Sequence, residues 1–289
     1  MTHLFCFGLG FSARVLAARL QHKGWTVSAT SRSAEGGARI EAQGYRSFLF
    51  DGSKPLAAEA LDGVTHIVSS APPDDSGDPV LRQCRDEFIN RAGQIKWIAY
   101  LSTTGVYGDH GGGWVTEETP LTPNTGRGQK RLNAEGQWLG RWKSHGLPVH
   151  LFRLAGIYGP GRNQLLSILD GSAKRVIKPG QVFSRIHVDD IANVLAASMA
   201  RPRPGAAYNV CDDEACPPQD VVEYAATLLG LPVPPDVPFG EARLSPMARS
   251  FYADSKRVSN VRIHEELGVT LAYPTYRQGL TALARHLKR

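Results

Sequence analysis

Three small residues near the start of the chain are spaced for phosphate chemistry. Residues 4–13 read LFCFGLGFSA, an apolar run followed by Gly8, Gly10 and Ala13 in a G-x-G-x-x-A pattern. In such a turn the first glycine permits the sharp passage from strand to helix. The second lets a pyrophosphate approach the backbone, and the third small residue lets helix and strand pack closely. A helix opening at Phe11 and Ser12 would turn its free amides and positive dipole end toward the phosphates. The alternative reading is a purely structural strand-to-helix turn.

A second signal concerns which nucleotide. The next apolar run ends in Ala29-Thr30-Ser31-Arg32-Ser33, with no carboxylate before Glu35. A carboxylate there would bond ribose hydroxyls, whereas Arg32 with Ser31 or Ser33 suits a 2′-phosphate. The pattern favours NADP, with NAD possible; the plain alternative is a loop arginine meeting solvent.

These residues need elements to position them. Apolar runs at 4–8, 25–30, 46–50, 64–70, 97–102 and 148–154 read as strands, with helical patterns at 11–22, 80–92 and 129–144. Alternating strands and helices predict an α/β chain with a doubly wound parallel Rossmann sheet. After about residue 156 the pattern breaks into short helices at 163–170, 189–200 and 217–229 and proline-rich connections. We therefore expect a nucleotide-binding domain over 1–156 and a smaller C-terminal substrate lobe over 157–289, with some segments returning to the sheet.

Composition narrows the function classes. The 289 residues are 42% hydrophobic and 21% charged, with a formal net charge of +6. No basic run or binding motif accompanies that modest excess, so nucleic-acid binding is not expected. No apolar run is long enough for a membrane span. The start reads directly into a strand, so no secretion signal is expected. Cys6, Cys84, Cys211 and Cys216 are scattered; Cys211 and Cys216 flank the acidic loop CDDEAC without a second ligand pair. Free thiols in a reducing cytoplasm are expected, and no metal.

The stretches GLGFSA at 8–13, LSTTGVYG at 101–108, FRLAGIYGPGRN at 152–163, HVDDIA at 187–192 and AYNVCDD at 207–213 occur in that order along almost the whole chain. Together they resemble the extended short-chain dehydrogenase/reductases, the NAD-dependent epimerase/dehydratase group. The resemblance implies an oxidoreductase or epimerase acting on a small polar, sugar-like molecule. It also implies further cofactor contacts at Asp51, Ser70, Ala71, Pro72 and Gly156.

The family's chemistry uses a Tyr-x-x-x-Lys pair and a strand-end Ser or Thr. The lysine lowers the tyrosine pKa so that the phenol can exchange a proton with substrate. Counting back from Tyr107, Thr103 takes the position of the catalytic hydroxyl, with Ser102 and Thr104 beside it to contact substrate. The Tyr-Lys element is missing. Anchoring on Gly128 and Glu135 puts Arg127 at the Tyr position and Arg131 at the Lys position; anchoring on Lys130 puts Gly126 at the Tyr position. Arginine is no general acid near neutral pH. Arg131 can still place positive charge near the nicotinamide ribose, and Arg127 can hold an anionic substrate, unless both lie on a solvated helix face. Tyr107 or Tyr158 are the alternative acids. Tyr158 and Arg162 join the expected substrate contacts.

In HVDD, His187, Asp189 and Asp190 suit a helix N-terminus better than a metal. Lys256 and Arg257 read as solvated or lobe-bridging charges. The partner expected is a small molecule, with the chain a monomer or homodimer. Two readings stand: an enzyme with an atypical active site, or a non-catalytic NAD(P)-binding sensor or scaffold.

Overall fold

The computed structural model describes residues 2–287. Its centre is a seven-stranded parallel sheet. The strands β1 (His3–Phe7), β2 (Thr26–Ser31), β3 (Arg46–Leu49), β4 (His66–Ser69) and β5 (Trp97–Thr103) are joined by Val149–Leu154 and Ala207–Val210. The order across the sheet is Ala207–Val210, Val149–Leu154, β5, β4, β1, β2, β3. Six of the seven were legible as apolar runs. The reversal of strand order falls between β1 and β4, which both pair in parallel. Ligands of such sheets bind at that switch point, beyond the strand C-termini.

All five residues of β1 are buried, as a central parallel strand covered on both faces requires. On one face an aromatic chain organises the packing. Phe7 meets Phe88 edge-on at 5.8 Å, and Trp138 stacks 6.0 Å from both Phe88 and Tyr100. Phe88 belongs to α3 (Pro79–Asn90) and Trp138 to α4 (Gly126–His145). Asp78 caps α3 by accepting the amides of Val80 and Leu81, and also takes the Trp138 indole N–H at 3.1 Å. One buried carboxylate thus fixes both helices; in this setting burial pushes its pKa up.

The helix α2 (Ala34–Glu41) is not among the helices expected from the sequence. Its two glycines lower helix propensity. Both lie close to serine side chains: a Cβ at Gly36 would meet the Ser31 Oγ, and one at Gly37 the Ser47 Oγ at 3.0 Å.

The chain divides into two compact units. The first comprises 1–103, 126–153 and 192–208; the second 104–125, 154–191 and 209–289. The second contains three two-stranded pairs of two- or three-residue strands, among them Gly156–Tyr158 with Arg185–His187. It also holds the helices Pro218–Leu229 and Tyr276–Leu287. Among the described residues no helix is long and apolar enough to cross a membrane.

Candidate active site

The glycine turn lies where β1 ends. Gly8 has φ +83°, a left-handed conformation that favours glycine. Its amide donates to the Thr30 hydroxyl at 2.9 Å, and its carbonyl accepts the Ser70 hydroxyl at 2.9 Å. Ser70 also donates to the Phe7 carbonyl. The turn is thereby pinned to β2 on one side and to the end of β4 on the other. The Ser70 hydroxyl serves the turn itself, with Ala71 half-buried and Pro72 exposed after it.

Gly10 precedes helix α1 (Phe11–His22) and offers no side chain to cap it. A Cβ at Gly10 would meet nothing within 4 Å. Ser12 and Ala13 are buried against the sheet. An uncapped helix start at exposed Gly10, beside open space, fits a phosphate-bearing cofactor.

At the end of β2, Ser31 accepts the Ser33 amide, and the Ser33 hydroxyl caps the next helix through Gly36 N–H. Arg32 is exposed and makes no ion pair among the described residues; Glu35 pairs with Arg39 at 3.1 Å. Asp51 is exposed beyond β3, and the Ser53 hydroxyl and amide hold its carboxyl below the usual range.

The end of β5 carries the candidate hydroxyls. Ser102 is buried and donates to Glu135 at 2.5 Å. Glu135, on α4, also receives the guanidinium of Arg153 at 2.9 Å. With 2% and 6% of their side chains exposed, these two form a buried ion pair. Thr103 and Thr104 are half-buried. Arg131 donates through Nη1 to the Tyr100 hydroxyl at 3.1 Å and the Leu101 carbonyl at 2.8 Å, so its charge is directed onto β5. Burial pushes the Tyr100 phenol up, opposed by Arg131. Arg127 is exposed in the first turn of α4.

The second unit holds the other candidates. Tyr107 is fully buried and donates to Asn209 Oδ1 at 2.7 Å. Tyr158 is 8% exposed, and burial, followed by the nearby Asp212 and Asp190, pushes its phenol up. Its ring lies so close to Gly279 that a Cβ there would meet the hydroxyl and ring carbons. Gly156 and Arg162 are exposed. His187 packs against Tyr158 and Tyr273, at 5.1 and 4.1 Å between ring centroids. Asp190 accepts the amides of Ala272 and Tyr273, so HVDD anchors the C-terminal segment.

Lys256 is not a solvated charge: it is 7% exposed and donates to the Gly108 carbonyl at 2.7 Å and to Asp254 at 3.1 Å. Burial lowers its pKa. Arg257 likewise donates to the Gly112 carbonyl. The Glu135–Arg153 pair and Asp212 also escaped the sequence reading; no local pattern marks either.

A family model for the NAD dependent epimerase/dehydratase family matches residues 8–211. The chain belongs to that family. It is 29% identical over 292 residues to Protein YeeZ of Escherichia coli (strain K12), covering 92% of this chain and 94% of YeeZ. A structure of a functionally unknown conserved protein from Silicibacter pomeroyi DSS shares 55% identity over all of both chains, with a TM-score of 0.92. A dTDP-glucose 4,6-dehydratase of Bacillus anthracis str. Ames, solved in complex with NAD, has a TM-score of 0.76 at 21% identity, covering all of this chain and 96% of its own. That last likeness is one of fold. The family's fold is present; its Tyr-x-x-x-Lys spacing is not found in residues 126–135.

Proposed function

We propose that this protein is an NADP-dependent oxidoreductase or epimerase-like enzyme of the cytoplasm. Its substrate would be small, polar and sugar-like, and its proton transfer would not come from a Tyr-Lys pair. The observation that carries the reading is Arg32: an exposed guanidinium at the end of β2, with its nearest sequence carboxylate, Glu35, already paired. Gly8, Gly10, Phe11, Ser12 and Ala13 would hold the pyrophosphate, and Arg32 with Ser31 and Ser33 the 2′-phosphate. Asp51, the 70–72 segment and Gly156 would complete the binding set. When bound, the nicotinamide would supply hydride exchange.

Within the chain, Thr103 orients the substrate oxygen. Ser102 is committed to Glu135 and serves to hold the end of β5. Arg131 braces the same strand through Leu101. Arg127, on the exposed first turn of α4, suits an anionic substrate group. Tyr107, with its hydroxyl given to Asn209, is poorly placed to release a proton. A water, or the substrate itself, then supplies it.

Those same commitments favour a second reading, a non-catalytic NAD(P)-binding sensor. In the register anchored on Gly128 and Glu135, Arg127 and Arg131 take the places of the acid and its lysine, the register anchored on Lys130 offers Gly126 for the acid, and the Tyr107 phenol is engaged. Screening nucleotide sugars and carbonyl compounds with NADPH separates the two. Turnover that falls at least tenfold in Thr103→Val, with NADPH affinity unchanged, supports the enzyme. Tight NADPH binding without any turnover supports the sensor.

A further inference from the structure

Four carboxyls are buried among the described residues: Asp78, Glu135, Asp190 and Asp212. Three are fully provided for. Asp78 takes two amides and the Trp138 indole, Glu135 takes Ser102 and Arg153, and Asp190 takes two amides of the 272–273 segment. Asp212 differs. It is 3% exposed, and neither carboxyl oxygen has a partner within hydrogen-bond geometry. A buried acceptor without a donor is costly, and an apolar side chain of like size would cost less.

We propose that Asp212 is a substrate-recognition residue, whose carboxyl receives hydroxyl donors of the ligand in the second unit. Its place in the chain suits this, two residues beyond the C-terminal end of the sheet strand Ala207–Val210. Its surroundings select the ligand class. Arg185 lies close enough to act on the carboxyl electrostatically, yet spends Nη1 on the Phe183 carbonyl and the Cys216 sulfur, each at 3.0 Å. That neighbouring positive charge disfavours a cationic donor, and the nearby Glu214 disfavours an anion. A neutral donor remains, and two vicinal hydroxyls match two carboxyl oxygens.

Burial raises the Asp212 pKa, opposed first by the Arg185 charge; the backbone amides of Glu214 and Arg185 also favour the anion, but both lie outside hydrogen-bond geometry. Either protonation state accepts a hydroxyl proton. Because the carboxyl is enclosed, entry of a ligand requires side chains over it to move.

The inference rests on the sugar-like substrate proposed above, and the test separates the two. UDP-glucose, UDP-galactose, dTDP-glucose and free D-glucose are screened by thermal shift of the NADPH-loaded protein. The best binder is then titrated by calorimetry into wild type, Asp212→Asn and Asp212→Leu. Asp212→Leu is expected to unfold at a higher temperature than wild type. Both variants are expected to bind the sugar compound at least about tenfold more weakly, with NADPH affinity unchanged. Variants that bind it as well as wild type overturn this inference and leave the proposed function standing. A panel in which nothing stabilises wild type overturns both. A lower melting temperature for Asp212→Leu, with sugar binding retained, shows that the carboxyl has a structural partner and also overturns it.

Discussion

The Arg131 guanidinium is joined to Tyr100 twice over. Nη1 donates to the phenol oxygen at 3.1 Å, and the charge sits 5.5 Å from the ring centroid. The same Nη1 reaches the Leu101 carbonyl. Arg131 is therefore a brace between α4 and β5, two residues before Thr103.

That brace predicts the outcome of restoring lysine. A lysine nitrogen stops one atom short of the position of Nη1 and has no guanidinium plane to set against the Tyr100 ring. Arg131→Lys should lower stability by about 1 kcal/mol, the worth of one net hydrogen bond. It should leave NADPH affinity within twofold. Urea unfolding and cofactor titration check this; a tenfold loss of NADPH affinity at unchanged stability would place Arg131 on the cofactor instead.

Removing one member of a buried ion pair is more damaging than removing both. Glu135→Gln should cost about 3–5 kcal/mol, since Arg153 keeps its charge in a buried position. The double variant Glu135→Met/Arg153→Leu should recover most of that loss. Chemical denaturation of the three proteins decides; a single variant within about 1 kcal/mol of wild type would show the pair to be dispensable.

Acid should unfold this protein through its histidines. His66 and His150 are buried, and burial lowers the pKa of each to about 4, while His3 is lowered too. His150 Nε2 accepts the Arg203 amide at 2.9 Å, a bond that protonation removes. With folded values below the unfolded 6.5, the neutral form favours folding. The stability is present above pH 6.5 and is lost as pH falls toward 4. By pH 5 the loss should be roughly 2 kcal/mol for each of His66 and His150. Urea unfolding at pH 7.5 and pH 5 measures it, and equal stabilities at the two values would contradict the account.

The sheet was legible in the sequence because its strands are long apolar runs separated by helical patterns. The glycine turn was legible because its spacing is local. The short pairs of the second unit, such as Gly156–Tyr158 with Arg185–His187, are three residues long and carry no period to read. The closing helix Tyr276–Leu287 went unread despite an apolar face formed by Tyr276, Leu280, Leu283 and Ala284. Lys256 reads from the sequence as a solvated or lobe-bridging charge because its partner, the Gly108 carbonyl, is 148 residues away. The state of Asp212 is likewise set by donors that distant segments fail to bring, which no local pattern reveals.

The central claim, a cofactor site built for a 2′-phosphate around Arg32, is tested most directly by titrating NADPH and NADH into wild type and Arg32→Ala. A charge-assisted phosphate contact contributes about 1.5–3 kcal/mol. Wild type should bind NADPH more tightly, and Arg32→Ala should weaken NADPH by about tenfold or more while leaving NADH nearly unchanged. A wild type that prefers NADH, or equal losses for both nucleotides, would contradict it.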